Sequence, residues 1–368
     1  MAEAHGGDVE AVAREYGVPV TELIDFSANI NPFGPPRSVM ARLQRDAADA
    51  DALARYPDPS YRELRSALAT QLNVPPDCLT IANGSAALYA AVIRSIRPQT
   101  CLLPVPAFGE QARALAAAAC TVDRFPLRAA DGFRLDTGAL CQSMADRQPA
   151  LCVLTNPHNP SGALTAAGEM LAVVRAAEAH QVHLLIDEAF IDFAPDDTLT
   201  AEAARASHLV VLRSLTKFYG MPALRVGYAV STPDMAARIA AQLPAWPVTT
   251  LAAAAAVEAI RDDDYARRTR RAVAGDREHL REQLQDCVID VYPSAGNFLL
   301  LRLPERGPDS TQLRAQLIRR TRIVVRDCRS FDGMADGRFI RVAVRSRADN
   351  DRLVDALHAA LQEMSVAD

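Results

Sequence analysis

Lys217 stands in the polar segment Ser214-Leu215-Thr216-Lys217, and Arg225 follows eight positions later, just ahead of a short apolar run. An amine flanked by hydroxyls, with a guanidinium close behind, suits condensation with an aldehyde whose phosphate the neighbours hold. Alone, a Ser-x-Thr-Lys segment is an ordinary surface loop. Segments further upstream change its meaning. His183-Leu184-Leu185-Ile186-Asp187-Glu188 is an apolar run ending in acids, the pattern of a buried parallel strand whose carboxyl end opens into a site. A carboxylate there pairs with a protonated ring nitrogen and keeps the ring able to accept electrons. Val153-Leu154-Thr155-Asn156-Pro157-His158-Asn159-Pro160-Ser161-Gly162 is a second apolar strand, broken into an irregular loop by its prolines and glycine. Asn159 is held stiffly there and is able to hydrogen-bond a phenolic oxygen or a substrate carboxylate. Thr80-Ile81-Ala82-Asn83-Gly84-Ser85-Ala86 reads as strand, tight turn and helix start, so helix N-terminal amides and the Ser85 hydroxyl form a phosphate cradle. Amine, ring acid, phenolate partner and phosphate cradle are together what pyridoxal 5'-phosphate needs.

This series of motifs resembles the fold-type I pyridoxal-phosphate enzymes, within the histidinol-phosphate aminotransferase group, over nearly the whole chain. The resemblance implies an α/β transferase fold, with a large domain built on a mostly parallel sheet and a small C-terminal α+β domain. It also implies catalytic roles for Lys217, as the amine that links the cofactor, and for Asp187, as the partner of the pyridine nitrogen. Asn159 would face the phenolic oxygen, and Phe108 would stack on the ring. Gly84, Ser85, Ala86, Ser214, Thr216 and Arg225 would surround the cofactor phosphate. Tyr56, in Arg55-Tyr56-Pro57-Asp58-Pro59, would reach the cofactor of a neighbouring subunit. A homodimer with shared active sites is therefore implied as well.

The ends of the chain narrow the resemblance. His5-Gly6-Gly7-Asp8, the stretch from Leu23 to Gly34, and the tail from Ile323 to Ser346 are similar to the L-threonine O-3-phosphate decarboxylases of cobalamin synthesis. That likeness implies decarboxylation of a phosphorylated amino acid, O-phospho-L-threonine, to an aminopropanol phosphate. The alternative is an aminotransferase acting on histidinol phosphate. Phe190 stands where many aminotransferases carry a tyrosine, so one hydroxyl for the phenolic oxygen is missing, a shift away from ordinary transamination. The implied substrate shell is His5, Gly6, Asn29, Asn159, Arg326 and Arg341. The glycines let backbone amides approach an anion, and planar guanidiniums bind phosphate or carboxylate bidentately. Strand alternation sets Arg345 on the same face as Arg341, with Arg338 nearby, and leaves the choice among them open.

Positioning these residues requires alternating strands and helices. Residues 1–35 read as an N-terminal arm with one short strand, Leu23 to Ser27, closed by the prolines from Pro32 to Pro36. Residues 36–250 read as the large cofactor domain, with a helix from Tyr61 to Leu72 and strands near Cys101–Pro104, Leu151–Thr155, His183–Asp187 and Leu209–Arg213. Such alternation places ligands at the carboxyl ends of a parallel sheet. Residues 251–368 read as the small domain, entered through one long helix over the alanine run near residue 255. Strands follow at Val288–Tyr292, Phe298–Leu303, Ile323–Arg326 and Phe339–Ala343.

Composition sets limits. A chain of 368 residues with 49% hydrophobic and 23% charged residues fits an ordinary α/β protein. The net charge of −5, without a basic stripe, speaks against nucleic acid as a partner. Arg267 to Arg271 read as the solvated face of a helix. The seven cysteines are widely spaced and contain no Cys-x-x-Cys, so neither a metal site nor a disulfide framework is expected. No signal peptide and no membrane span are legible, and a cytoplasmic enzyme with a small-molecule substrate is expected.

Overall fold

The computed structural model describes residues 6–365. Near the start lies β1 (Ile24–Asp25), followed by β2 (Leu79–Ala82), β3 (Thr100–Val105), β4 (Thr121–Pro126), β5 (Leu151–Thr155), β6 (His183–Asp187), β7 (Leu209–Ser214) and β8 (Gly227–Val230). All but β1 join in a 7-stranded sheet of order β2-β8-β7-β6-β5-β3-β4. Strands β4, β3, β5, β6 and β7 run parallel, and β8 runs against both of its neighbours. The sheet is thus mostly parallel, as expected.

Helices cover both faces, which is why these strands are continuous apolar runs and not alternating ones. The pleat sorts them all the same. Leu184 and Ile186 enter one core with Leu154 and Val211, while Leu185 enters the other with Val153 and Val210. Strand β4 escapes sequence reading because it is the partly exposed edge, carrying Asp123 and Arg124 in place of an apolar run.

A second, antiparallel sheet follows, made of β9 (Asp290–Val291), β10 (Phe298–Arg302), β12 (Arg326–Asp327) and β13 (Phe339–Ala343), in the order β12-β13-β10-β9. Leu299, Leu301, Ile340 and Val342 pack on one face against Leu313, Leu317, Leu353 and Leu357 of the flanking helices. Alternation therefore turns Phe298, Leu300 and Arg341 to the opposite face, toward the large sheet. The strand expected over Ile323–Arg326 is divided. Ile323–Val324 (β11) pairs in parallel with β1, and Arg326 pairs with Arg341. The arm strand is correspondingly short, limited to the two residues that find a partner.

The single long helix expected near residue 255 is two helices, Thr250–Arg261 and Asp263–Gln283. Asp262 breaks them at φ −90, ψ 75, and its carboxylate accepts the Tyr265 N–H at 2.9 Å as an N-cap. The alanine face of the first helix packs into the core of the large sheet through Ala252, Ala255, Ala256 and Ala259. Of the arginine run, Arg267, Arg268 and Arg271 are exposed as expected. Arg270 is not: it donates to the Asp192 carbonyl at 2.9 Å and lies over the Phe218 ring.

Candidate active site

The carboxyl ends of β5, β6 and β7, the start of the Gly84–Ile96 helix and the strands β12 and β13 enclose a cavity of about 280 Å³. Lys217 reaches it from the short helical turn Leu215–Phe218 that follows β7. The Ser214 hydroxyl caps that turn and lies 2.8 Å from Thr216 Oγ1, so both hydroxyls share one wall with the amine. Burial lowers the Lys217 amine to about 8, with Arg341 and Arg225 pushing the same way against Asp187 and Asp25. A neutral, nucleophilic fraction is therefore present near neutral pH.

Asp187 ends β6 and is 4% exposed. Its Oδ1 accepts the Ala189 N–H at 2.9 Å and its Oδ2 accepts the Tyr89 hydroxyl at 2.6 Å. Burial raises its pKa, while Tyr89, the Ala189 amide and Lys217 work to keep it ionised. Asn159 is buried, and its Oδ1 accepts from Arg341 Nη1 at 2.5 Å, which leaves its Nδ2 to donate. Phe190 lines the cavity edge-on to Phe298, with ring centroids 5.0 Å apart.

At the opposite end a cradle forms around Gly84. Its φ of +75 suits glycine, and a Cβ there would lie 2.8 Å from Arg225 Nη2. On β8, a Cβ at Gly227 would come within 2.9 Å of the Ser85 amide nitrogen. Two glycines thus let a helix N-terminus, a serine and an arginine crowd together, the donor set that a phosphate dianion requires. Pyridoxal 5'-phosphate fits these residues: donors for the phosphate at one end, a buried carboxylate for the ring nitrogen, and an amine between them.

Arg326 and Arg341 close the remaining wall, 3% and 7% exposed. Arg341 Nη2 donates to the Ser27 carbonyl at 3.0 Å, and its Nε has no hydrogen-bond partner. Ser27, Ala28 and Asn29 of the arm meet it there, with the Asn29 Oδ1 also unpartnered. Gly6 lies so close over Ser27 that a Cβ would stand 2.2 Å from its carbonyl oxygen. The other candidate arginines point elsewhere. Arg345 bonds the Asp25 carbonyl and Asp349, and Arg338 bonds the Pro304 carbonyl.

The cavity therefore gathers Gly6, Asn29, Ser85, Ala86, Phe108, Asn159, Asp187, Ser214, Thr216, Lys217, Arg225, Arg326 and Arg341. Gly84 supports it from behind. Tyr56 does not line it, being 78% exposed and stacked on Trp246 with centroids 4.4 Å apart. His5 lies outside the described residues. Sequence reasoning missed Ser330, whose Oγ accepts from Arg326 Nη2 at 2.5 Å, and Phe331, beside both guanidiniums. It also missed Tyr89 and Gln111. The one available signal was helical spacing, since Tyr89 follows Ser85 by one turn.

The chain belongs to the class I and II aminotransferase family, whose model matches residues 21–357. It is 37% identical over 368 residues to the threonine-phosphate decarboxylase of Salmonella typhimurium, covering 99% of this chain and 98% of that protein. It is 29% identical to a histidinol-phosphate aminotransferase of Methanocella arvoryzae, over 96% of this chain and 94% of that one. Among solved structures, the histidinol-phosphate aminotransferase of Clostridium acetobutylicum superposes with a TM-score of 0.84 at 27% identity, over 93% of this chain and 100% of that one.

Proposed function

We propose that this chain binds pyridoxal 5'-phosphate and decarboxylates O-phospho-L-threonine to (R)-1-aminopropan-2-yl phosphate, a step of cobalamin biosynthesis. The observation that carries the reading is the pair of buried arginines, Arg326 and Arg341, on the wall of the cavity that holds Lys217 and Asp187. One guanidinium suits a phosphate dianion and the other a carboxylate. The relative from Salmonella typhimurium carries the matching name over the full length.

Ser85, Ala86, Ser214, Thr216 and Arg225, backed by Gly84, would hold the cofactor phosphate. Asp187 would face the ring nitrogen, Asn159 the phenolic oxygen and Phe108 the ring face. When bound, the cofactor supplies an aldehyde and an electron-accepting ring. Lys217 would contribute the amine, and its Nζ would also serve to return a proton to Cα. Orientation selects the bond that breaks. In a decarboxylase the residues around the substrate must orient its carboxylate, and Arg326 and Arg341 would hold its two anionic ends to do so. Binding energy at the phosphate is thereby used to rotate Cα. His5 and Gly6 would cover the substrate phosphate, with Asn29 beside it. Phe190 withholds the hydroxyl that favours transamination.

The functional unit is a homodimer in which Tyr56 of each chain completes the other's site. We place the enzyme in the cytoplasm, a reducing compartment that suits widely spaced, mostly buried cysteines. No helix among the described residues is long and apolar enough to cross a membrane. The test is incubation with O-phospho-L-threonine, reading carbon dioxide against glutamate formed from 2-oxoglutarate. Carbon dioxide without glutamate is expected. Conversion of histidinol phosphate with 2-oxoglutarate, and none of phosphothreonine, would install the aminotransferase in its place.

A further inference from the structure

Tyr89 is fully buried on the Gly84–Ile96 helix, one turn beyond Ser85. Residues at i and i+4 share a helix face, so the face that presents Ser85 to the cavity carries the Tyr89 phenol beneath the cavity floor. The phenol bonds Asp187 Oδ2 at 2.6 Å. Gln111 sets the direction of that bond, because its Nε2 donates to Tyr89 Oη at 2.9 Å and to Thr155 Oγ1 at 2.8 Å. An oxygen that already accepts from an amide has its own proton to give, and Asp187 is there to take it. Thr155 is in turn the cross-strand partner of Asp187 between β5 and β6. Tyr89, Gln111, Thr155 and Asp187 thus close one network across two helices and two strands, buried except at Thr155, which reaches the cavity wall.

Hydrogen bonds to a buried carboxylate favour its charged form against the cost of burial, and they fix where its remaining lone pairs point. Burial and the neighbouring carboxylate hold the Tyr89 phenol far above its ordinary pKa, so it stays a donor. We propose that Tyr89 is a positioning residue that keeps Asp187 ionised and aimed at the ring nitrogen of bound pyridoxal 5'-phosphate, an inference that rests on the cofactor reading above. It acts only through Asp187. Phenylalanine at this position would fill the same volume and leave the Ala189 amide as the sole donor among the bonds described.

The experiment uses the full chain carrying Tyr89→Phe, alone and combined with Asp187→Asn. Cofactor dissociation constants come from the visible absorbance on titration of the stripped protein, and kcat and KM from phosphothreonine. Tyr89→Phe should raise the cofactor Kd and lower kcat, each by about tenfold, as loss of a hydrogen bond to a charged group implies. KM should stay near the wild-type value, because Arg326 and Arg341 are untouched. On the Asp187→Asn background the same change should have almost no further effect. Gln111→Leu should give a weaker form of the same signature. Equal losses on both backgrounds, or a lowered melting temperature with unchanged Kd, would reduce Tyr89 to packing and overturn the proposal. If the wild type binds the cofactor yet leaves phosphothreonine intact, the proposed reaction falls while the Kd measurements still decide Tyr89.

Discussion

Arg326 and Arg341 stand directly opposite each other in the antiparallel pair β12–β13, both buried and both on the wall of the cavity that holds Lys217. Like charges facing across a sheet repel, so the pair is tolerated only with compensation. Ser330 takes one bond from Arg326, and the Phe331 ring lies 5.6 Å from one guanidinium and 5.9 Å from the other. Burial, helped by Arg326, still lowers Arg341 to about 10. A doubly anionic ligand relieves that repulsion, whereas a neutral one leaves it in place.

Arg341→Ala should therefore damage turnover much more than cofactor binding. Truncating one partner of a buried charged contact costs about 2–5 kcal/mol. At about 1.4 kcal/mol per factor of ten, kcat/KM for phosphothreonine should fall by roughly two orders of magnitude. The visible absorbance of the loaded cofactor should persist, since Ser85, Ser214, Thr216 and Arg225 stand apart from the change. Loss of that absorbance together with activity would place Arg341 in cofactor binding instead.

Lys217 predicts a pH signature in the cofactor-free protein. Its folded-state value is about 8 against an ordinary 10.5. Between those values the unfolded chain keeps a proton that the folded chain has released, so stability rises with pH there. The penalty of the buried ammonium is complete below about 8 and vanishes above the unfolded value. Lys217→Met should thus gain a few kcal/mol over wild type near pH 7, and the gain should shrink by about pH 10. Urea unfolding of both stripped proteins measures it. The same variant, dialysed against a free amine, should lose the visible absorbance of the cofactor.

Much of this site was legible because apolar strands ending in polar residues announce both the strand and its open end. Asp187, Asn159 and Ser214 sit at such ends, on β6, just after β5 and on β7. The choice of arginine came from the family resemblance and not from the strand pattern. Pleat alternation puts Arg341 and Arg345 on one face, but the strand stops at Ala343, and Arg345 turns away to Asp25 and Asp349. Where a strand ends depends on its partner. Tyr89 was hidden for a different reason, since a tyrosine among Leu88, Ala91 and Val92 reads as core. Its hydroxyl acquires meaning only when β6 delivers Asp187 to it.

Arg213 underlies the site from behind. It is 4% exposed, with Nη2 at 2.6 Å from Asp192 and Nη1 at 3.6 Å from Glu188. Burial raises Glu188 from 4.5 to about 7 in spite of that arginine. Arg213→Met leaves two buried carboxylates without a cation, at a cost of about 3–5 kcal/mol. The folded state then holds the Glu188 proton to higher pH than the unfolded state, so stability keeps falling as pH rises past about 7. Denaturant midpoints should accordingly show a larger loss at alkaline pH than at about pH 5. An equal loss at both would mean that Glu188 does not titrate in this range.

Tyr56 tests the shared site. It is 78% exposed and stacked on Trp246, and Leu53 and Phe33 are exposed as well, at 55% and 51%. The proposed dimer would cover this aromatic and aliphatic surface. In a two-fold dimer whose cavities each receive the opposite chain's Tyr56, Tyr56→Ala and Lys217→Ala spoil different halves of one site. A hybrid dimer of the two variants, isolated through distinct affinity tags, then has one site with both defects and one with neither. It should regain about half of the wild-type decarboxylation, although each parent is impaired. If Tyr56 serves its own chain, every site in the hybrid carries one defect, and activity stays at the mean of the parents. Sedimentation of the wild type as a fully active monomer would remove the premise altogether.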